Sequence, residues 1–185
     1  MKKILTVSSL CVLCMLVLSF GAEAQEKAIR IGDKIPGFFL KDLNGESFFL
    51  RDYVGEKAKK NLKAMIFSLS ASYCKPCKKE IPELGKMMEK YKDKGLEIYI
   101  IAIEKEEQAL KLVAETKTAI PVLLDKYLMV PKLLGHESIP FTLLIDSEGT
   151  VKFINTGFSE ENAMEFIERF ENEVVALLDI EKKPE

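Results

Sequence analysis

Residues Ala64–Leu84 read AMIFSLSASYCKPCKKEIPEL, and this stretch decides the fold. Up to Ser70 it is a short apolar run of the kind that forms a buried strand. Cys74 and Cys77 follow with two residues between them, and Pro76 stands where a first helical turn accepts proline. From Lys78 to Lys94 apolar residues recur at Ile81, Leu84, Met87, Met88 and Tyr91, the spacing of an amphipathic helix. A strand ending near Ser70 and a helix starting at about Lys75 to Cys77 place Cys74 at the helix N-terminus. Unpaired backbone N–H groups and the positive end of the helix dipole stabilise a thiolate there.

Working outward, GFFLKDLNGESFFL (37–50) holds two apolar runs around Asn44 and Gly45, a strong hairpin signal because both residue types tolerate positive φ. Gly95 ends the helix after the cysteines, and LEIYIIAI (96–103) reads as a strand buried on both faces. The pattern then predicts helices over Glu106–Thr116 and Lys126–Leu134. FTLLID (141–146) and TVKFIN (150–155) form a strand pair around a turn at Ser147–Gly149. A last helix is expected from Ser159 to Leu178, capped by Ser159, with Asn162 standing where a complete capping box has glutamate or glutamine. The tail EKKPE reads as a frayed end. Strand, helix, strand, helix, hairpin and closing helix describe an α/β sandwich with a mixed sheet.

The chain of 185 residues suits one domain, and 48% hydrophobic with 30% charged residues excludes a disordered chain. Residues 1–24 are of another kind. Lys2 and Lys3 precede an apolar run from Ile4 to Phe20, and small residues follow at Ala22 and Ala24, the order of a cleaved secretory signal peptide. An uncleaved membrane anchor is the other reading of this run, which is nearly long enough to span a bilayer. Cys11 and Cys14 lie in mid-run, follow leucines, and read as small apolar residues rather than lipid-attachment sites. The domain expected is then 25–185. Losing Lys2, Lys3 and Glu23 moves the net charge from -2 to about -3, which gives no nucleic-acid surface.

The mature chain keeps only Cys74 and Cys77. Zinc would need four ligands, and one cysteine pair with the single histidine, His136, does not supply them without carboxylates. A structural disulfide between residues so close closes too short a loop to restrict the unfolded chain much. Redox exchange fits the local physics better: Cys74 attacks, and Cys77, one turn further in, resolves the mixed disulfide. Lys75, Lys78 and Lys79 add positive charge nearby, although lysines in such a run are mostly solvated surface.

These residues resemble the thioredoxin superfamily, and within it the TlpA- and ResA-like exported thiol-disulfide oxidoreductases, from about Ala28 to Leu178. The motifs are YCKPC, Pro82 eight residues after Cys74, and SIPFTLLID. The resemblance implies a thioredoxin-like three-layer sandwich with a mixed central sheet, an N-terminal β-hairpin extension and a central insertion between Glu104 and Tyr127. It implies a cis Ile139–Pro140 bond beside the dithiol, with Ile139, Pro140 and Tyr73 meeting substrate. Taken alone, an Ile-Pro before a strand is a trans bond and an ordinary strand start. Tyr73 replaces the family's usual tryptophan. Ser68 replaces the buried aspartate of cytosolic thioredoxins, so Glu104, after the next strand, is the candidate proton relay, its other reading being a solvated acid at a strand end.

The function implied is an exported, periplasmic or extracytoplasmic, reductase of protein disulfides, with Pro76 before Cys77 as in reducing members. Its partners are then disulfide-bearing proteins, apocytochrome c being the family's best-known one, and a membrane electron donor. No metal or other cofactor is implied. Two alternatives use related folds. A peroxiredoxin-type peroxidase carries proline seven, and threonine or serine three, residues before its reactive cysteine, where this chain has Phe67 and Ala71. A copper-binding assembly protein pairs two cysteines with a distant histidine, and His136, alone before a strand, reads more readily as surface or packing.

Overall fold

The computed structural model describes residues 28–159 and 161–179. The segment read as a signal peptide, with Cys11 and Cys14, and the EKKPE tail lie outside them. The strands are β1 (Phe39–Asp42), β2 (Ser47–Phe49), β3 (Ala64–Ser70), β4 (Leu96–Ala102), β5 (Val122–Leu124), β6 (Phe141–Asp146) and β7 (Val151–Thr156). The helices are α1 (Lys75–Tyr91), α2 (Glu106–Thr116), α3 (Met129–Leu134) and α4 (Ala163–Leu177). All seven strands join one sheet in the order β2-β1-β5-β4-β3-β6-β7. β3, β4 and β5 are parallel, while β1 and β6 run against their neighbours. This is the mixed sheet expected, and it carries the thioredoxin-like fold.

Alternation along the strands divides the core into two layers. Ala64, Ile66, Ile98, Ile100, Val122 and Leu144 face α1, α2 and α4, where Ile81, Leu84, Leu112 and Phe170 meet them. Met65, Phe67, Leu69, Tyr99, Ile101 and Leu143 face the opposite side, covered by Phe38, Leu40 and Phe48 from the hairpin region and by Val130 and Leu134 of α3. Each fully buried isoleucine or leucine contributes ~1.5–3 kcal/mol, so neither layer can be spared. α1 buries Cys77, Glu80, Ile81, Leu84, Met87 and Tyr91, a single stripe in which one member is an acid. The helix continues through Pro82 to Tyr91, tightens into a 3-10 turn over Lys92–Lys94, and stops at Gly95, whose φ of 98° suits glycine.

Four details depart from the sequence reading. β5 was not foreseen: three residues are too few to show a period, yet they tie the hairpin to β4 by pairing with both. The hairpin loop spans residues 43–46 rather than an Asn-Gly pair, and only Gly45 takes positive φ. Asp42 organises this loop by accepting the N–H groups of Asn44 and Glu46 at 2.9 and 2.8 Å. α3 begins at Met129, not Lys126, because the Asp125 carboxylate accepts the Met129 and Val130 N–H groups at 2.9 and 2.7 Å. α4 begins at Ala163 with Asn162 at its N-cap position. Ser159 stands a turn earlier, where its N–H donates to Asn162 Oδ1 (2.8 Å) and its hydroxyl accepts the Asn162 N–H (3.3 Å). Asparagine thus closes a reciprocal pair before the helix.

Candidate active site

β3 and β6 place two hydroxyls opposite each other. Ser68 and Thr142 are register partners, and both lie on the strand face that carries Ile66 and Leu144 toward α1. Glu80 of α1 reaches down to this pair and is fully buried. Ser68 Oγ donates to Glu80 Oε2 at 2.9 Å, and Thr142 Oγ1 donates to Oε1 at 2.8 Å. Ser70 Oγ stands 3.2 Å from Ser68 Oγ and extends the chain of hydroxyls. Burial pushes the Glu80 carboxyl up to about 7, against the opposing pull of the Thr142 and Ser68 hydrogen bonds. On a helix, Glu80 lies three residues after Cys77 and on the same side. The sequence reading did not single it out.

Above this layer, Cys74 caps α1. It is joined to Cys77 by a disulfide with Cα atoms 5.3 Å apart. The Cys77 N–H donates to Cys74 Sγ at 3.2 Å, so the attacking position expected for Cys74 faces a helix N-terminal N–H. Cys77 is fully buried, whereas Cys74 keeps 6% of its surface. The two sulfurs lie among Ala71, Ile103 and Ile139.

The remaining expected residues are arranged around the dithiol. The Ile139–Pro140 peptide is cis, Ile139 packs beside the cysteines, and Pro140 is buried. Tyr73 is 72% exposed next to Cys74. Glu104 is half-buried and binds the loop before the cysteine: Oε1 accepts the Ser72 N–H at 2.7 Å and Oε2 accepts its hydroxyl at 2.9 Å. Both of its oxygens are therefore committed to Ser72. Lys78 is paired with Glu115 of α2, while Lys75 is exposed. His136 is stacked on Phe141 with ring centroids 4.2 Å apart. Among the described residues no three His, Cys, Asp or Glu side chains gather where they could hold a metal ion.

The arrangement of a helix-capping cysteine, a sealed partner cysteine and a buried acid is suited to thiol-disulfide exchange, and relatives of the chain carry that name. The AhpC/TSA family model matches residues 31–154. The thiol-disulfide oxidoreductase ResA of Halalkalibacterium halodurans is 32% identical over 147 residues, covering 78% of this chain and 80% of that protein. ResA of Bacillus cereus is 32% identical over 132 residues, 71% and 72% of the two chains. Among solved structures, a candidate thiol:disulfide interchange protein DsbE from Chlorobium tepidum superposes with a TM-score of 0.71 at 28% identity, covering 82% of this chain and 99% of that one.

Proposed function

This chain belongs to the AhpC/TSA family, as a thiol-disulfide oxidoreductase of the ResA kind, and from that premise we propose that it is an exported reductase of protein disulfides acting through Cys74 and Cys77. The observation that carries the reading is Glu80, a buried acid beside the resolving cysteine whose carboxyl sits near neutrality. In the reduced protein the Cys74 thiolate attacks one sulfur of the substrate disulfide, and the displaced sulfur leaves as a thiolate that takes a proton from solvent. Cys77 then gives its proton to Glu80, attacks Cys74 Sγ, and expels the second substrate sulfur as a thiolate, which also takes a proton from solvent. The substrate disulfide gains two electrons, and the Cys74–Cys77 disulfide closes. An external dithiol donor at the membrane then restores the reduced pair, and Glu80 returns its proton to the Cys77 sulfur as the Cys74–Cys77 bond breaks.

Export rests on the signal-like residues 1–24 ahead of a single domain over 25–185. Ile139, Pro140 and Tyr73 border the dithiol where a substrate chain would lie, and Glu104 serves to hold the Cys74 loop rather than to carry protons. A haem-binding cysteine pair of an apocytochrome c is the substrate that the resemblance favours. The test is the reduction potential of the pair together with turnover. A value near about -270 mV and reduction of an oxidised CxxCH peptide support the reading. A value near about -120 mV would make the protein an oxidant.

Peroxidase activity of the peroxiredoxin type, on a related fold, is the second reading. Phe67 and Ala71, both fully buried, occupy the positions where proline and a hydroxyl residue would flank a peroxide-reactive cysteine. Rapid consumption of hydrogen peroxide by the reduced protein would restore that reading.

A further inference from the structure

The helix-side face of the sheet is covered unevenly. α1 packs on β4, α2 on β5 and α4 on β7. Beyond β5 the same face opens to solvent. Leu40 points into the opposite core layer, so its neighbours Phe39 and Lys41 face the helix side, where Phe39 is 41% exposed. Lys41 is the register partner of Leu124 on β5. A groove of about 990 Å³ lies here, walled by Phe39, Leu124, Tyr127 and Met129 and edged by Lys41 and Lys105.

The upper wall is held rigidly. The buried Asp125 carboxylate takes the Met129 and Val130 N–H groups, and its carbonyl accepts the Leu128 N–H at 3.1 Å. Leu128 sits at φ 56°, the left-handed region that a leucine occupies only under strain. The result is three consecutive apolar side chains turned outward, with Tyr127 76% and Leu128 43% exposed. The turn serves the start of α3, but the three apolar side chains it holds in water gain nothing from the isolated fold and point to a partner.

The groove shares an end of the sheet with the dithiol. Ser70, Ala102 and Leu124 are level on the parallel strands β3, β4 and β5. Cys74 follows the first, Lys105 the second and Tyr127 the third, and Glu104 ties the first two connections together through Ser72. At ~4.8 Å per strand, β5 and β1 lie roughly 10–14 Å from β3, a distance that three or four residues of extended chain cover. The acids lining the groove differ from its lysines. Asp125 is buried on backbone N–H groups and Asp42 binds its own loop, which leaves the exposed Glu106 as the one outward acid of the lining against Lys41, Lys105 and Lys126, and among the described residues neither Lys41 nor Lys105 has an ion-pair partner. Lys126 stands over the Tyr127 ring at 5.0 Å, its charge also on the rim.

We propose that this groove is a second docking site for the polypeptide whose disulfide is reduced at Cys74, taking an apolar side chain flanked by an acidic one, three or four residues from the reacting cysteine. The proposal rests on the oxidoreductase reading above. The test uses the full chain, a recycling dithiol, and three substrates: a peptide disulfide with Phe-Glu at that spacing, its Ser-Lys counterpart, and a small aromatic disulfide. The native protein should prefer the first peptide by about tenfold in kcat/KM. Tyr127→Ser with Met129→Ser should remove that preference and leave the small disulfide unchanged. Leu128→Gly, which removes the strained side chain and keeps the loop, should weaken the preference in the same direction. Equal turnover of the two peptides by the native protein overturns the proposal. So does an unchanged preference accompanied by a smaller assembly mass in the double variant, which would assign the face to a second copy. Failure of the native protein to reduce even the small disulfide removes the oxidoreductase reading, a different result from loss of preference alone.

Discussion

The two glutamates near the dithiol occupy regions that differ in every physical respect. Behind Cys77, Glu80 is sealed from water and accepts from the hydroxyls of Ser68 and Thr142. Beside Cys74, Glu104 is half-buried at the mouth and grips the backbone and side chain of Ser72. The sealed region makes a carboxyl that resists ionisation, because burial disfavours charge and two neutral donors compensate only in part. The open region uses an acid as a clamp that fixes the turn in which the Cys74 N–H donates to the Ala71 carbonyl at 3.0 Å. On the proposed mechanism, proton handling belongs behind the resolving cysteine and positioning beside the attacking one.

The largest expected effect tests whether the two cysteines divide labour along that line. Cys74→Ser should lose disulfide reduction by on the order of a thousandfold or more, and form no adduct with substrate. Cys77→Ser should lose turnover as well but accumulate a mixed disulfide through Cys74, read by intact mass under non-reducing conditions. Adducts on both variants in equal amount would erase the distinction between open and sealed sides.

Next is Glu80. Glu80→Ala leaves buried hydroxyls short of an acceptor and opens a void, at a cost of about 3 kcal/mol in urea unfolding. Glu80→Gln keeps shape and polar partners while removing the titration. A carboxyl raised from 4.5 to about 7 keeps its proton in the folded state after the unfolded chain has lost it. Native stability relative to Glu80→Gln should therefore be highest below about pH 4.5 and fall by about 1.4 kcal/mol per unit as pH rises through that window, levelling above about 7. Parallel stability curves for the two proteins would show that Glu80 is not the buried acid described. Glu104→Ala should cost less, about 1–2 kcal/mol, because Ser72 can turn to water. Its signature is faster amide exchange at Ser72 and Cys74, with the pH dependence owed to Glu80 intact.

The open side of this site was legible in the sequence and the sealed side was not. Cys74, Pro76 and Cys77 are adjacent in the chain, so one helix start reveals their geometry. Glu80 becomes visible only by arithmetic on the buried stripe, since it lies three residues after Cys77 and four before Leu84; a stripe read from apolar residues alone passes over it. Ser68 was noticed as lacking a carboxylate, but the acid that answers it arrives from the helix rather than the strand, a tertiary fact. β5 escaped for a related reason, because Val122–Leu124 is a strand by virtue of β4 and β1 on either side. Glu104 was found where the strand ends, while its partner Ser72 depends on how β3 and β4 align.

The smallest expected effect concerns Lys78, which follows Cys77 directly and could be taken as the charge that activates the sulfurs. In the structure its ammonium is paired with Glu115 across α1 and α2. That hydrogen bond holds the Glu115 carboxyl below the usual range, so the pair favours folding above the normal glutamate pKa and loses that contribution as acid protonates Glu115. Both groups lie near the surface, and the unfolding midpoint of Lys78→Gln should stay within error of the native value. The Glu115 titration, followed by NMR, should move back up. The rate of Cys74 attack should change less than about twofold, because its thiolate leans on the Cys77 N–H and the helix end rather than on this lysine. A tenfold fall in that rate would mean that the open side activates the sulfur through side-chain charge, and the contrast between a clamp at the mouth and an acid behind the dithiol would need redrawing.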